Sequence, residues 1–320
     1  MIRILLTGAT GFVGAGVLRY AEGRQDIQWV AALRRASDIA TCERVHIING
    51  MDSATDWSEA LAGVDVVIHA AARVHVMQDN AEDPLAEFRK TNVEGTLRLA
   101  RQAASAGVRR FVFISSIKVN GEGTDPGQRY SADDKPMPVD PYGISKREAE
   151  DALRSLALAT DMEVVIIRPV LVYGPGVKAN FQSMMRWLNI GVPLPLGSID
   201  NKRSLVSLSN LADLILTCVK HPAAANQTFL ASDGEDLSTS QLLRELGNAL
   251  GKPARLLPLP AVLVQLVATV LGKKDIAQRL CGSLQVDISK NFKLLSWKPP
   301  FSVSEGLWET ARQYQSKNLL

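Results

Sequence analysis

Tyr142 and Lys146 stand four residues apart in a segment with helical periodicity, so their side chains project from one face of a helix. A phenol alone, titrating near ~10, is a poor acid-base group at neutral pH. A neighbouring ammonium favours the phenolate, which would let Tyr142 donate or accept a proton at a hydroxyl or carbonyl. Such a pair is common on helix surfaces. Here it follows a serine pair, Ser115 and Ser116, at the end of the apolar run Phe111 to Ile114, and that combination points to a catalytic set.

A second cluster suited to chemistry is Thr7-Gly8-Ala9-Thr10-Gly11-Phe12-Val13-Gly14. In a dinucleotide-binding turn, Gly8 would permit the tight bend, Gly11 would let backbone N–H groups approach a pyrophosphate, and Gly14 would allow close helix–strand packing. The loop lies after an apolar run and before an amphipathic segment, the context such a turn requires.

These groups need a scaffold, and the first half of the chain supplies an alternating one. Apolar runs at Ile2 to Leu6, Trp29 to Leu33, Val45 to Ile48, Val64 to His69, Phe111 to Ile114 and Val164 to Ile167 predict strands. Pro84 to Ala106 and Tyr142 to Ala159, lying between them, predict helices. Wholly apolar strands separated by helices imply an α/β, doubly wound parallel sheet of the Rossmann type. After Arg168-Pro169 the pattern turns irregular and rich in Pro and Gly, with helices expected only at Leu237 to Leu250, Pro260 to Leu271 and Ser304 to Gln315. The chain therefore divides into a dinucleotide-binding domain at 1–169 and a smaller substrate-binding region at 170–320, from which some segments could return to the sheet.

Composition narrows the function classes. Lys plus Arg (36) against Asp plus Glu (33) leaves +3, too slight for a nucleic-acid partner. The three cysteines form no Cys-x-x-Cys pair, and His69 and His75 lack the further ligands a zinc site needs, so no metal is expected. His69 reads as a strand-end residue near the cofactor. No targeting segment is visible, and a cytoplasmic, reducing setting follows as the expectation. The stretch Leu256 to Leu271 is too short and too rich in Pro to span a bilayer. It reads as a buried or partner-facing helix, with peripheral membrane contact the weaker alternative.

The motifs, taken in order, resemble the extended branch of the short-chain dehydrogenase/reductase superfamily, which holds nucleotide-sugar epimerases, dehydratases and reductases. The glycine loop is followed by Asp65-Val66-Val67-Ile68-His69-Ala70-Ala71, Asn92-Val93-Glu94-Gly95-Thr96, Phe113-Ile114-Ser115-Ser116, Tyr142-Gly143-Ile144-Ser145-Lys146, and Arg168-Pro169 with Val172-Tyr173-Gly174-Pro175-Gly176. This resemblance implies catalysis by Ser116, Tyr142 and Lys146, with Ser115 as the alternative hydroxyl and Lys146 also on the nicotinamide ribose. It implies cofactor contacts from Gly8, Thr10, Gly11, Phe12, Val13 and Gly14, and further along from Met51, Ala70, Ala71, Asn92, Ser115 and Val172. A UDP-sugar would meet Ser116, Lys118, Tyr142, Asn180, Arg203 and Arg279, the arginines suiting a diphosphate through paired donors. The resemblance also implies a homodimer through the helices at Pro84 to Ala106 and Tyr142 to Ala159.

Charge and residue detail refine that expectation. NAD-binding members carry an acidic residue about 20 positions past the glycine loop, whereas Arg there suits the 2'-phosphate of NADP. This chain has Arg34 and Arg35, so NADP(H) is expected, with NAD as the alternative. The segment after Ser116 lacks the Asp-Glu pair of the 4,6-dehydratases, which argues against water elimination. Ser115 to Glu122 together with Ala72 to Met77 resembles the epimerase-like subgroup that includes the UDP-N-acetylquinovosamine dehydrogenases. The leading expectation is therefore a reductase of UDP-4-keto-6-deoxy-N-acetylglucosamine in surface polysaccharide synthesis. A UDP-glucose or UDP-N-acetylglucosamine 4-epimerase comes next, and a non-catalytic dinucleotide sensor last, the intact Ser116, Tyr142 and Lys146 speaking against silence.

Overall fold

The computed structural model describes residues 1–35, 42–74, 83–270, 272 and 274–318. His75 and the rest of the segment Ala72 to Met77 beyond Val74 lie outside the described residues.

Six strands form where the apolar runs predict them: β1 (Ile2–Thr7), β2 (Ile27–Leu33), β3 (Arg44–Ile47), β4 (Val66–His69), β5 (Arg110–Ile114) and β6 (Glu163–Pro169). The helices of this half are α1 (Phe12–Tyr20), α2 (Ser58–Leu61), α3 (Pro84–Arg89), α4 (Thr96–Ser105) and α5 (Pro141–Ala159). A π-helical stretch, Lys90–Gly95, joins α3 to α4, so the expected helix at Pro84 to Ala106 is continuous but locally widened. The later half adds β7 (Leu171–Tyr173), α6 (Ala179–Ile190), β8 (Arg203–Ser207), α7 (Leu208–Lys220), β9 (Thr228–Ala231), β10 (Asp236–Leu237) and α8 (Thr239–Ala249). It closes with α9 (Ala261–Val270), α10 (Lys274–Cys281), α11 (Ser289–Leu295) and α12 (Val303–Asn318).

The main sheet has seven parallel strands in the order β3-β2-β1-β4-β5-β6-β9. The order reverses between β1 and β4, and ligands of such sheets bind outside the carboxyl ends of the strands at that switch. Successive side chains point to opposite faces. Ile4 and Leu6 accordingly enter one buried cluster while Leu5 enters the other. Fully burying side chains of this size contributes about 1.5–3 kcal/mol each. β3 departs from the expectation of a sheet covered throughout, because it is an edge strand whose Val45 and Ile47 are exposed.

Several elements of the later half return to this sheet, among them α11, which packs against β9 and places Leu295 in its core. β9 pairs with β6, and α7 packs against α1, where Gly16 lacks the Cβ that would lie only 2.4 Å from Leu208. Arg110 anchors the end of α7 by donating to the carbonyls of Cys218, Val219 and His221 while pairing with Glu163. The remainder builds a separate small sheet, β10-β8-β7, with its own core around Phe181, Leu205, Leu243 and Leu307.

The stretch expected to be a buried or partner-facing helix is α9, and it buries none of its residues. No helix among the described residues is long and apolar enough to cross a membrane.

Candidate active site

The glycine loop has the geometry that a pyrophosphate cradle demands. Gly8 has φ +72°, and a Cβ there would sit 2.8 Å from the backbone N of Ala71. A Cβ on Gly14 would come within 2.2 Å of the Gly8 carbonyl oxygen. Side chains at either position would push the loop off β4 or α1 off the loop. Gly11 caps α1 with extended backbone and no side-chain hydrogen bond, and Thr10 and Gly11 are exposed. Phe12, Val13 and Gly14 form the first helical turn, so their N–H groups, lacking intrahelical partners, face the mouth of the loop. Ala70 and Ala71 line the opposite wall, held by bonds from their N–H groups to the Thr7 carbonyl and hydroxyl. These residues fit a dinucleotide.

His69 ends β4, as expected. It is fully buried, its ring nitrogens hydrogen-bonded to the Thr7 and Thr96 hydroxyls at 2.7 and 2.9 Å. Burial, reinforced by the charge of Lys146, pushes its pKa down to about 3, so the ring is a neutral tie between β1, β4 and α4.

The other cofactor candidates are spread around this mouth. Arg34 and Arg35 follow β2 and are exposed, with no carboxylate between them and the strand. Met51 is half-buried, and its carbonyl would lie 2.6 Å from a Cβ on Gly95, so the π-helical stretch approaches it closely. Asn92, inside that stretch, is buried. Its amide oxygen accepts from the Arg73 N–H, and its amide nitrogen donates to the Arg73 carbonyl and the Ser145 hydroxyl. It ties the chain after β4 to α5, three residues past Tyr142. Val172 is half-buried on β7.

Ser116 and Tyr142 meet at the carboxyl end of β5. Ser115 continues the pairing of β5 with β6 through its N–H to the Ile167 carbonyl, and the chain then turns through a short 3-10 turn, Ile117–Val119. Asp140 caps α5 by accepting from the Gly143 N–H at 2.7 Å, and Pro141 occupies the first helical position, so Tyr142 is held in the first turn. Burial, then the negative charge of Asp140, pushes the phenol's pKa up, while a hydrogen bond with Ser116 pulls the other way. Phe88 packs edge-on against the ring.

Lys146 shares a helix with Tyr142, as the four-residue spacing predicted. Its ammonium donates to the Ile114 carbonyl at 2.8 Å and lies over the Phe113 ring, beneath the strand end. Burial pushes its pKa down to about 7, with Glu150 opposing the shift. The ammonium is therefore easy to deprotonate near neutrality.

Ser115 and Ser116 separate cleanly. The buried Ser115 hydroxyl donates to Glu150 at 2.6 Å, whereas the Ser116 hydroxyl faces the mouth and accepts from the Lys118 N–H. Glu150 is in turn clamped by Arg168 through two bonds of 2.9 and 2.5 Å, and Arg168 reaches the Asn120 amide oxygen at 2.9 Å. This buried network joins α5, β5, β6 and the turn behind Ser116. Sequence reasoning missed Glu150 and Asn120; the available signal was that Glu150 follows Lys146 by four on the same helix face.

Lys118, expected at the substrate, is set between two carboxylates. It pairs with Asp140 and with Glu122 at 3.0 Å. Burial opposes its charge, but these carboxylates outweigh that and hold its pKa above the usual lysine value. Its work is to brace the cap of the helix that carries Tyr142. On the far side, Arg203 at the start of β8 donates to the carbonyls of Arg279 and Gly282, both at 3.0 Å. Burial, then the charge of Arg279, lowers its pKa. Arg203 and Arg279 are thus brought together, and Arg279 is exposed. Asn180 is exposed in the first turn of α6, beside Ala179 with φ +54°. Among the described residues no group of three or more His, Cys, Asp or Glu could hold a metal.

A parallel sheet with a glycine cradle at its switch point and a Ser, Tyr and Lys set beside it defines a short-chain dehydrogenase/reductase type of enzyme. Residues 4–231 match the model of the NAD dependent epimerase/dehydratase family, and the chain belongs to that family. It is 51% identical to the UDP-glucose 4-epimerase of Vibrio cholerae over 318 residues, covering 98% of this chain and 96% of that one. In fold it is similar to the UDP-glucose 4-epimerase of Thermotoga maritima, solved with UDP-glucose, with a TM-score of 0.77 at 20% identity over 99% of this chain and all of that one. It is equally similar to the UDP-glucuronic acid 4-epimerase of Bacillus cereus, solved with NAD, with a TM-score of 0.77 at 18% identity over 99% of both chains.

Proposed function

We propose that this chain is a UDP-sugar 4-epimerase, acting on UDP-glucose or its N-acetylated counterpart. The observation that carries the reading is the 51% identity to the Vibrio cholerae UDP-glucose 4-epimerase over nearly the whole of both chains. It outweighs the local motifs that favoured a keto-sugar reductase, because the identity extends through the substrate-binding region as well as the Rossmann half.

A nicotinamide dinucleotide, when bound, supplies the hydride acceptor and donor for C4. The glycine loop would hold its pyrophosphate, and Asn92 and Lys146 would fix the floor beside it. Tyr142 would take the proton of the 4-hydroxyl as the phenolate, a form that the positive charge of an oxidised nicotinamide ring beside it would favour, and return that proton on reduction. Ser116 holds the same oxygen through its hydroxyl, and the Asp140 cap keeps Tyr142 in place. Arg203 and Arg279 pair with the diphosphate of the UDP-sugar, Asn180 adding an amide from α6. Lys118 braces the helix cap from below.

One observation favours a second reading. Arg34 and Arg35 stand exposed past β2 where an NAD enzyme would carry a carboxylate, which suits NADPH and a reductase that exchanges its cofactor. Purified protein given UDP-glucose should yield UDP-galactose without net change in reduced nicotinamide. Stoichiometric oxidation of NADPH by UDP-4-keto-6-deoxy-N-acetylglucosamine, with no interconversion of UDP-glucose or UDP-N-acetylglucosamine, would replace the epimerase with the reductase.

A further inference from the structure

A helix on the surface of a protein in water ordinarily turns its charged residues outward. α9 has none to turn. Its sequence, Ala261-Val262-Leu263-Val264-Gln265-Leu266-Val267-Ala268-Thr269-Val270, carries no charge. Ala261 and Val264 pack against the core of the later half, and Ala268 is half-buried on the same side. The opposite side exposes Val262, Leu263, Leu266, Val267 and Val270, the last at 81%. Leu257, four residues before the helix, is also exposed, and its segment pairs with Leu194. A few residues before Leu194, the end of α6 exposes Trp187 and Ile190. Apolar exposure on this scale marks a contact surface rather than a solvated face.

The charges around it select the occupant. From Leu246 to Val270 the chain has no carboxylate, and Lys252 and Arg255 precede α9 in sequence. Lys252 and Arg255 are exposed. A second copy of this chain on the same patch offers Lys252 and Arg255 no opposite charge from its own copies of them, and like charges repel. An anionic bilayer surface answers both features, since it takes the apolar side into the headgroup boundary and attracts the basic flank. The large apolar residues exposed on the helices expected to form a dimer are far fewer, with only Leu158 on α3, α4 and α5.

We propose that α9, with Leu257 and the end of α6, rests on the surface of an anionic lipid bilayer. The helix lies on the membrane and does not span it: ten residues cover about 15 Å against an apolar thickness of roughly 30 Å. The active site then works beside the membrane surface, whichever nucleotide sugar it accepts.

The test is sedimentation of the full-length chain with vesicles of phosphatidylglycerol and phosphatidylethanolamine, against vesicles of phosphatidylcholine alone. Wild type should sediment with the anionic vesicles and be largely released by roughly 1 M salt, where screening acts within about 3 Å. The double variant Leu263→Glu, Leu266→Glu should lose binding to the anionic vesicles. The double variant Lys252→Glu, Arg255→Glu should bind the anionic vesicles at least about tenfold more weakly. Unchanged circular dichroism and dinucleotide binding would establish that both variants are folded. Wild type remaining in the supernatant overturns the proposal. So does a lipid-free oligomer that Leu263→Glu, Leu266→Glu dissociates, since the patch would then be a protein interface.

Discussion

The two sides of the candidate site are held by different means. On the β5 and α5 side, Ser115, Glu150, Arg168, Asn120 and Lys146 are all buried, and each makes a hydrogen bond to another structural element. On the α6, β8 and α10 side, Asn180 and Arg279 are exposed, and Arg203 is steadied by backbone carbonyls alone. Reacting groups must hold position to a fraction of an ångström, which a buried network enforces. Groups that grip a flexible diphosphate gain more from reach than from rigidity, and the exposed Arg279 supplies that reach.

The contrast can be broken most directly at Arg168. Arg168→Met leaves the buried Glu150 carboxylate without its principal partner, and stability measured by urea unfolding should fall by about 3–5 kcal/mol. A cost below about 1 kcal/mol would mean that the network does not hold the catalytic side. Tyr142→Phe should lower turnover at least about a hundredfold while dinucleotide affinity stays near normal, because only the proton-transferring hydroxyl is removed. Near-normal turnover would remove Tyr142 from the chemistry.

On the other side, Arg279→Ala should raise KM for the UDP-sugar about tenfold, the scale of one charge-assisted hydrogen bond, with stability changed by less than about 0.5 kcal/mol. A large loss of stability would place Arg279 in a packed network and erase the contrast. The smallest effect concerns His69. Its folded-state pKa of about 3 lies below the ordinary 6.5, so the neutral ring contributes stability above pH 6.5, and that contribution is lost as pH falls toward 3. His69→Gln cannot gain that proton, and Tm should fall less steeply across this acid range than in wild type. Parallel Tm profiles would count against a buried neutral His69.

What the sequence by itself determined was whatever depends on neighbours along the chain. The β1, β2, β4, β5 and β6 runs were legible because a strand covered on both faces is apolar at every position. The glycine loop was legible because the close contacts of Gly8 and Gly14 are local, within a single strand–turn–helix unit. Tyr142 and Lys146 were correctly placed on one helix, since four-residue spacing is a property of the helix alone.

Only the tertiary structure decided where their charges go. Lys146 turned to the Ile114 carbonyl, Lys118 to Asp140, and Ser115 to Glu150, all partners supplied by packing that no spacing rule encodes. The same holds for β9, which reads like any short strand of the later half until it pairs beside β6, and for α9. An apolar helix reads alike whether it is buried or exposed, and its surroundings here left it facing outward. Periodicity records which faces of an element are alike. It does not record which element, or which medium, will lie against them, because that depends on contacts between residues far apart in the chain.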